Sequence, residues 1–331
     1  MAGACPASLA IAIANAGGLG GCGALLMEPA AIRAWVADVR AGSNGGFQLN
    51  LWIPDSPPKR DVIAEDAVRR FLSDWGPEVA REAGDVTLPD FEAQCEAMLE
   101  SGPAIISSIM GLYPEHFVAR MKSKGVKWFA TVTTVSEAKA TESAGADVIV
   151  AQGMEAGGHR GAFDATKAEV RMVGLFSLLP AVVDAVKVPV VATGGIADGR
   201  GVAAALLLGA SAAQVGTAFL RCPEAKIARV WADAIGRAAP EDTMVTPAFS
   251  GRPGRSLATA YARAATAPTA PQSAPYPVQR GLTQAMRDAA TKENDIERIQ
   301  AWAGQSASLA RTDPAGEVVR RLWEDTQALL R

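Results

Sequence analysis

Hydrophobic residues along the chain alternate between two spacings. Short apolar runs of four to six residues are separated by longer segments in which apolar residues recur at helical spacing, as in Ile32, Trp35, Val36 and Val39. Such alternation is typical of repeated strand–helix units that build a parallel sheet. The pattern predicts strands over residues 19–24, 47–52, 104–109, 127–132, 148–151, 189–193 and 212–215, and helices over 6–16, 28–40, 114–124, 135–144, 173–186 and 199–208.

The seven predicted strands are compatible with two α/β architectures. A doubly wound sheet can use seven strands as they stand, whereas a (β/α)8 TIM barrel needs eight and would lack its first strand here. Residues 55–90 are rich in Pro, Asp and Arg and interrupt the alternation. We therefore expect a long excursion there that covers part of the fold.

The alternation ends near residue 221. A segment rich in Pro, Ala, Arg and Ser fills residues 240–277. Helical patterns flank it over residues 225–237, 282–290, 296–302 and 315–330. This region is too long for a loop and too poor in strand patterns for another α/β unit, so we predict a smaller, mainly helical cover domain.

The loop after the fifth predicted strand has the composition of a functional site. Residues 152–161 read Gln-Gly-Met-Glu-Ala-Gly-Gly-His-Arg-Gly and contain His159, one of only two histidines in the chain. Gly157 and Gly158 lack a Cβ, so the backbone there can approach a flat ligand and leave the imidazole projecting from a bare loop. A flexible loop with a surface histidine is the alternative. The second histidine, His116, lies at a predicted helix start and is predicted to be a surface residue.

Glycine turns at the ends of the last two predicted strands favour a phosphate site. One turn contains Gly194 and Gly195, and the other follows Gln214 as Val-Gly-Thr. Backbone N–H groups and a helix N-terminus together bind a phosphate dianion, and barrel enzymes use this pair of loops for the purpose. In the same region, Asp198 is predicted to cap the following helix. Elsewhere, Arg252, Arg255 and Arg263 form a loose basic cluster, for which we favour a solvated loop over a site for a carboxylate substrate.

Composition narrows the function classes. The chain has 331 residues, 49% of them hydrophobic and 20% charged, with a formal net charge of −3, so it can bury a large core. This charge favours no nucleic-acid partner. No apolar run reaches the roughly 18 residues that suggest a membrane span, and no leader pattern is present, so we expect a cytoplasmic protein. The four cysteines lack metal-ligand spacing, and we predict no metal site.

Several of these motifs together resemble the nitronate monooxygenases, formerly called 2-nitropropane dioxygenases. The resemblance rests on residues 152–161, on Ala-Thr-Gly-Gly-Ile-Ala-Asp-Gly-Arg-Gly from Ala192, and on Gln-Val-Gly-Thr from Gln214. Further matches are Asn-Ala-Gly-Gly-Leu-Gly at 15–20, Asn50-Leu51, Tyr276-Pro277, Leu282-Thr283 and Trp-Ala-Gly-Gln at 302–305. The glycine-histidine loop is the specific part, because many phosphate-binding barrels share the glycine turns.

The resemblance implies an FMN-dependent TIM barrel with a helical cover that closes over the flavin. Family members begin with a strand before the segment that starts here at Met1, so the barrel is expected to lack its first strand. The implied divisions are an FMN-binding barrel domain at 1–221, a cover and substrate domain at 222–310, and a helix at 311–331 that packs back on the barrel. The implied FMN-binding residues are Asn50, Thr131, Gln152, Gly157, Gly158, Gly194, Gly195, Gln214, Val215, Gly216 and Thr217.

The implied reaction is the oxidation of an alkyl nitronate, such as propionate 3-nitronate, by O2 to a carbonyl compound and nitrite. His159 is the implied catalytic residue. It would remove the α proton of a neutral nitroalkane, or hold the nitro oxygens of a substrate that arrives as the nitronate. The partners are thus a small molecule and O2, with a homo-oligomer possible.

Two alternative functions remain. The first is an FMN-dependent reductase that moves hydride from NAD(P)H to a quinone or an enoyl thioester. The second is a barrel that binds flavin or phosphate and catalyses no reaction.

Overall fold

A parallel sheet of seven strands forms the centre of the computed structural model, which describes residues 3–331. The strands pair in chain order, with no crossover that reverses direction along the sheet. This order excludes the doubly wound sheet and defines a curled, TIM-like barrel. The strands are β1 (Gly20–Gly23), β2 (Phe47–Trp52), β3 (Ile105–Ile109), β4 (Lys127–Val132), β5 (Val148–Gln152), β7 (Val190–Thr193) and β8 (Ala212–Gln214), with the short β6 (Gly158–His159) outside this sheet.

All seven strands predicted from the apolar runs are confirmed. Within the described part of the chain, β1 and β8 are the two edges of the sheet. The sheet is therefore not closed between them, as expected for a barrel without its first strand.

Helices pack on the outside of this sheet and bury the apolar faces seen in the sequence. They are α1 (Ala7–Asn15), α2 (Pro29–Gly42), α3 (Val62–Leu72), α4 (Phe91–Glu100), α5 (Glu115–Ser123), α6 (Val135–Ser143), α7 (Leu175–Val183) and α8 (Gly199–Leu207). In α2 the predicted apolar stripe of Ile32, Trp35, Val36 and Val39 is buried in the main core. The side chain of Asp198 accepts from the N–H of Gly201 at 3.2 Å, which confirms the predicted cap of α8.

The C-terminal third contains helices and two strands that the sequence pattern did not indicate. Its elements are α9 (Arg229–Arg237), β9 (Thr243–Thr246), β10 (Gly254–Leu257), α10 (Ala260–Ala265), α11 (Val278–Leu282), α12 (Gln284–Glu293) and α13 (Ala315–Leu330). The predicted helix over 296–302 is wrong. Those residues form turns, and Trp302 pairs with Ser256 in an isolated antiparallel bridge.

A second, three-stranded antiparallel sheet joins this region to the barrel. Its order is β6-β10-β9, so the strand that contains His159 pairs with the cover. At the other end of the chain, α13 packs against α8 and α1. Across residues 3–331, no helix combines the length and the apolar character needed to cross a lipid bilayer.

Candidate active site

The loop that follows β5 is held in shape by the side chain of Gln152, which is 6% exposed. Its Nε2 donates to the carbonyl of His159 at 3.1 Å, and its Oε1 accepts from the backbone N–H of Gly161 at 2.8 Å and from Arg160 at 3.1 Å. Gly158 has a φ of +77°, and no atom lies within 4 Å of the place a Cβ would take. The loop therefore presents bare backbone directly before the histidine.

The imidazole of His159 is enclosed by side chains from the barrel and from the cover. The rings of Trp52 and Trp302 each have their centroid 4.9 Å from it, tilted by 56° and 57°. Its Nε2 lies 2.8 Å from Oγ of Ser250, and its backbone pairs with Gly254 of β10. The expectation of a histidine projecting from a bare loop is wrong in this respect, because the cover supplies one aromatic wall and a hydrogen bond.

This enclosure determines the charge of the ring. Burial is the main cause that lowers the pKa of His159, and the nearby Arg252 and Arg280 lower it further, to about 3. The imidazole is therefore neutral at pH 7. A neutral imidazole has one nitrogen that donates and one that can accept a proton.

One wall of the site consists of stacked rings and a buried cation. Trp52 stacks on Tyr276, with centroids 4.4 Å apart and planes at 23°, and the guanidinium of Arg252 lies 5.4 Å from the Trp52 ring. Arg252 is 1% exposed, forms an ion pair with Asp55 and donates to the carbonyl of Ala162. The excursion at 55–90 thus contributes a carboxylate to this wall.

The burial of this cation corrects the assignment of the basic cluster to a solvated loop. Arg255 is 5% exposed and donates to the carbonyl of Met154 at 3.0 Å and to Oγ1 of Thr243 at 3.0 Å. Only Arg263 of the cluster is exposed. Two of the three arginines therefore join the cover to the barrel.

The glycine turns after β7 and β8 lie side by side, as the sequence predicted, because these strands are neighbours in the sheet. Gly194 and Gly195 have φ values of +111° and +68°, which favour glycine. Within residues 3–331, the N–H groups of Gly195, Gly216 and Thr217 have no acceptor. These donors belong to two neighbouring turns, and together they suit an anion.

A cover segment, residues 303–306, lies against these turns. A Cβ on Gly157 would lie 2.5 Å from the N of Gly304, so this glycine allows the close approach of the cover backbone. The N–H of Gly304 donates to Oγ1 of Thr217 at 3.0 Å, and Oγ of Ser306 donates to the carbonyl of Gly195 at 2.6 Å. The cover is therefore hydrogen-bonded to both glycine turns.

The remaining predicted cofactor residues lie inside the barrel or at the ends of its strands. Asn50 donates to Oγ of Ser107 at 2.9 Å, and Thr131 is 6% exposed. The exposed side chain of Gln214 has its Oε1 3.4 Å from Nε2 of Gln48. Val215, between Gln214 and the second glycine turn, is half-buried.

Sequence reasoning did not find three residues that surround the imidazole: Trp52, Arg252 as a buried cation, and Ser250. Trp52 ends a predicted strand, and this position was a signal that could have identified it. Ser250 lies 91 positions from His159 in a segment without periodicity. No local pattern could have indicated it.

Loops at the carboxyl ends of parallel strands, a neutral histidine between aromatic rings and glycine turns with unused donors define a barrel enzyme that acts on a small molecule under a cover. Comparison with known proteins identifies the family. The family model for nitronate monooxygenase matches residues 1–325. A nitronate monooxygenase of Paraburkholderia phytofirmans is 37% identical over 329 residues, which cover 97% of this chain and 89% of that protein.

Solved structures support the same family assignment. Nitroalkane oxidase from Streptomyces ansochromogenes superposes with a TM-score of 0.90 at 33% identity, covering 100% of this chain and 96% of that chain. FabK from Thermotoga maritima superposes with a TM-score of 0.76 at 29% identity, covering 100% and 91%. The chain belongs to the nitronate monooxygenase family and is an oxidoreductase, which confirms the resemblance.

Proposed function

We infer that the protein binds FMN and uses O2 to oxidise alkyl nitronates to an aldehyde or ketone and nitrite. The observation that carries this inference is the neutral imidazole of His159, held between two indole rings beside glycine turns with free N–H donors. Membership of the nitronate monooxygenase family supports a nitronate as the substrate class.

The residues present suit FMN. The free N–H groups of Gly195, Gly216 and Thr217 would hold its phosphate, and the backbone at Gly158 has no Cβ to obstruct a flat ring. When bound, FMN supplies the chemistry that takes electrons from the nitronate and passes them to O2. The other residues proposed to line the cofactor are Asn50, Thr131, Gln152, Gly157, Gly194, Gln214 and Val215.

The charges around His159 suit an anionic substrate. Arg252 and Arg280 both lower the pKa of the imidazole, so both contribute positive potential at the ring. The guanidinium of Arg280 is half-buried and has no hydrogen-bond acceptor or ion-pair partner within residues 3–331. A nitronate carries a negative charge, which this potential stabilises.

An absorption spectrum followed by oxygen consumption tests the proposal. The purified protein should show a flavin spectrum, and propionate 3-nitronate should consume O2 and release nitrite. A colourless protein that cannot be reconstituted with FMN would contradict it and favour a non-catalytic barrel. Anaerobic bleaching of the flavin by NADH, but not by the nitronate, would favour the reductase instead.

The substitution His159→Asn tests the role of the imidazole. Asn keeps polarity but cannot act as a base. Removing a general base should lower kcat/KM with a neutral nitroalkane by about 10²–10⁴-fold. Retained nitronate turnover would support the base, and equal loss with both substrates would count against it.

A further inference from the structure

Ser250 lies in a tight, buried turn beside the imidazole of His159. It is 1% exposed and lies in a turn in which the N–H groups of Ser250 and Gly251 both donate to the carbonyl of Pro247, at 3.1 and 2.7 Å. Gly251 has a φ of +89°, and a Cβ there would lie 2.4 Å from the carbonyl oxygen of Ala274. Glycine is therefore required for this tight turn, in which Oγ of Ser250 lies 2.8 Å from Nε2 of His159.

The hydrogen bonds of Ser250 determine which nitrogen of the imidazole carries the proton. A hydroxyl has one proton to donate. Oγ of Ser250 lies 3.2 Å from the carbonyl oxygen of the buried Arg252, and no other group in the described residues donates to that carbonyl. A buried carbonyl without a donor is costly, so the hydroxyl proton points there. Oγ then accepts, and Nε2 of His159 must be the donor.

The other ring nitrogen is left as a base. Within residues 3–331, Nδ1 of His159 makes no hydrogen bond, and it is not among the buried polar atoms that lack a partner, so it retains contact with solvent. In the Nε2–H tautomer this atom has a lone pair. A lone pair can accept a proton, but it repels the oxygens of a nitronate.

We propose that Ser250 is a positioning residue that holds His159 as the Nε2–H tautomer, so that Nδ1 accepts the α proton of a neutral nitroalkane. This proposal rests on the function inferred above and selects one of the two roles of the histidine. The α C–H bond breaks, its electron pair passes into the nitro group to give the nitronate, and the proton bonds to Nδ1. The resulting imidazolium lies beside the anion it has formed, which offsets the unfavourable charges of Arg252 and Arg280.

Nitrogen NMR determines directly which ring nitrogen of His159 carries the proton. The protein as purified would be labelled with ¹⁵N-histidine, which gives signals from two residues only. The variant His116→Gln identifies those of His159, since His116 is an exposed side chain whose nearest charged partner is Glu92 at 3.7 Å. We expect the proton on Nε2. A proton on Nδ1 overturns the proposal, whatever the enzyme oxidises.

Kinetics with paired substrates test the consequence. Ser250→Ala should lower kcat/KM for nitroethane by about tenfold or more, which is part of the roughly 10²–10⁴-fold that a general base contributes. With ethyl nitronate supplied preformed, kcat/KM should change by less than about twofold. Ser250→Thr keeps a hydroxyl and should restore most of the loss. The matched control is Ser256→Ala, which removes a fully buried hydroxyl that donates to the carbonyl of Leu257.

The outcomes separate the two proposals. If the wild-type protein oxidises neither substrate, the inferred function fails, and the tautomer is still decided by NMR. If it oxidises only the nitronate, the proposed proton transfer to Nδ1 is overturned. If it oxidises both substrates and Ser250→Ala lowers kcat/KM for both equally, or for neither, the positioning role is overturned.

Discussion

Acid should destabilise the folded protein through His159 in particular. The pKa of this residue falls from its ordinary 6.5 to about 3 on folding. Because the folded-state pKa is the lower one, the unfolded chain binds more protons between these values, and stability decreases as the pH falls through that window. The contribution of His159 to the free energy of unfolding is therefore fully present above about pH 6.5 and is lost progressively toward pH 3.

The magnitude follows from the two pKa values. At pH 5 the unfolded histidine is almost fully protonated and the folded one is not, which corresponds to about 2 kcal/mol relative to pH 7. Residual solvent contact of the half-buried ring reduces this to about 1–2 kcal/mol.

Urea unfolding of the wild type and of His159→Asn, each at pH 7 and pH 5, measures this effect as the difference between their losses of stability. His159→Asn should lose less stability than the wild type on acidification, by that same amount, because carboxylates contribute equally to both. His116→Gln, at an exposed histidine, should behave like the wild type. Equal losses in the wild type and His159→Asn would refute the assignment of a half-buried imidazole that stays neutral in the folded protein.

Three further predictions concern the supports of the site. Gly251→Ala places a Cβ 2.4 Å from the Ala274 carbonyl at a positive φ and should cost about 2–4 kcal/mol in urea unfolding, whereas Gly125→Ala, with open space around it, should cost about 1 kcal/mol. Gly195→Ala, at a φ of +68°, should reduce the flavin content of the purified protein without unfolding it, as measured by absorbance and circular dichroism. Gln152→Leu removes the hydrogen bonds to the carbonyl of His159 and to the N–H of Gly161. It should lower kcat/KM with a nitroalkane by about tenfold.

The barrel could be predicted from the sequence because its central strands β4, β5 and β7 are largely buried and are therefore short, nearly continuous apolar runs. The strands of the cover could not. β9 reads Thr-Met-Val-Thr and β10 reads Gly-Arg-Ser-Leu, and neither shows an apolar run. The predicted helix over 296–302 failed because pairing of Trp302 with Ser256 extends its last residues beside β10. Tertiary pairing overrode the local pattern in both cases.

The candidate site could likewise be predicted only in part from the sequence. The composition of the loop identified His159, since two glycines and a rare histidine occur within a few residues. Its surroundings come from Trp52, Ser250 and Trp302, which are distant in the chain and have no common spacing. Only the fold brings them together.

The short β6 strand has a consequence for protein engineering. Its histidine is tied to the barrel through the Gln152 amide and to the cover through β10, and the next residue, Arg160, donates to the carbonyl of Pro253 at 2.9 Å. A chimera that grafts a relative's cover to change the substrate range would disturb the two contacts with the cover, the pairing with β10 and the hydrogen bond to Pro253. The grafted segments should therefore exclude residues 247–257, so that this piece of the cover stays with the 152–161 loop of its own barrel.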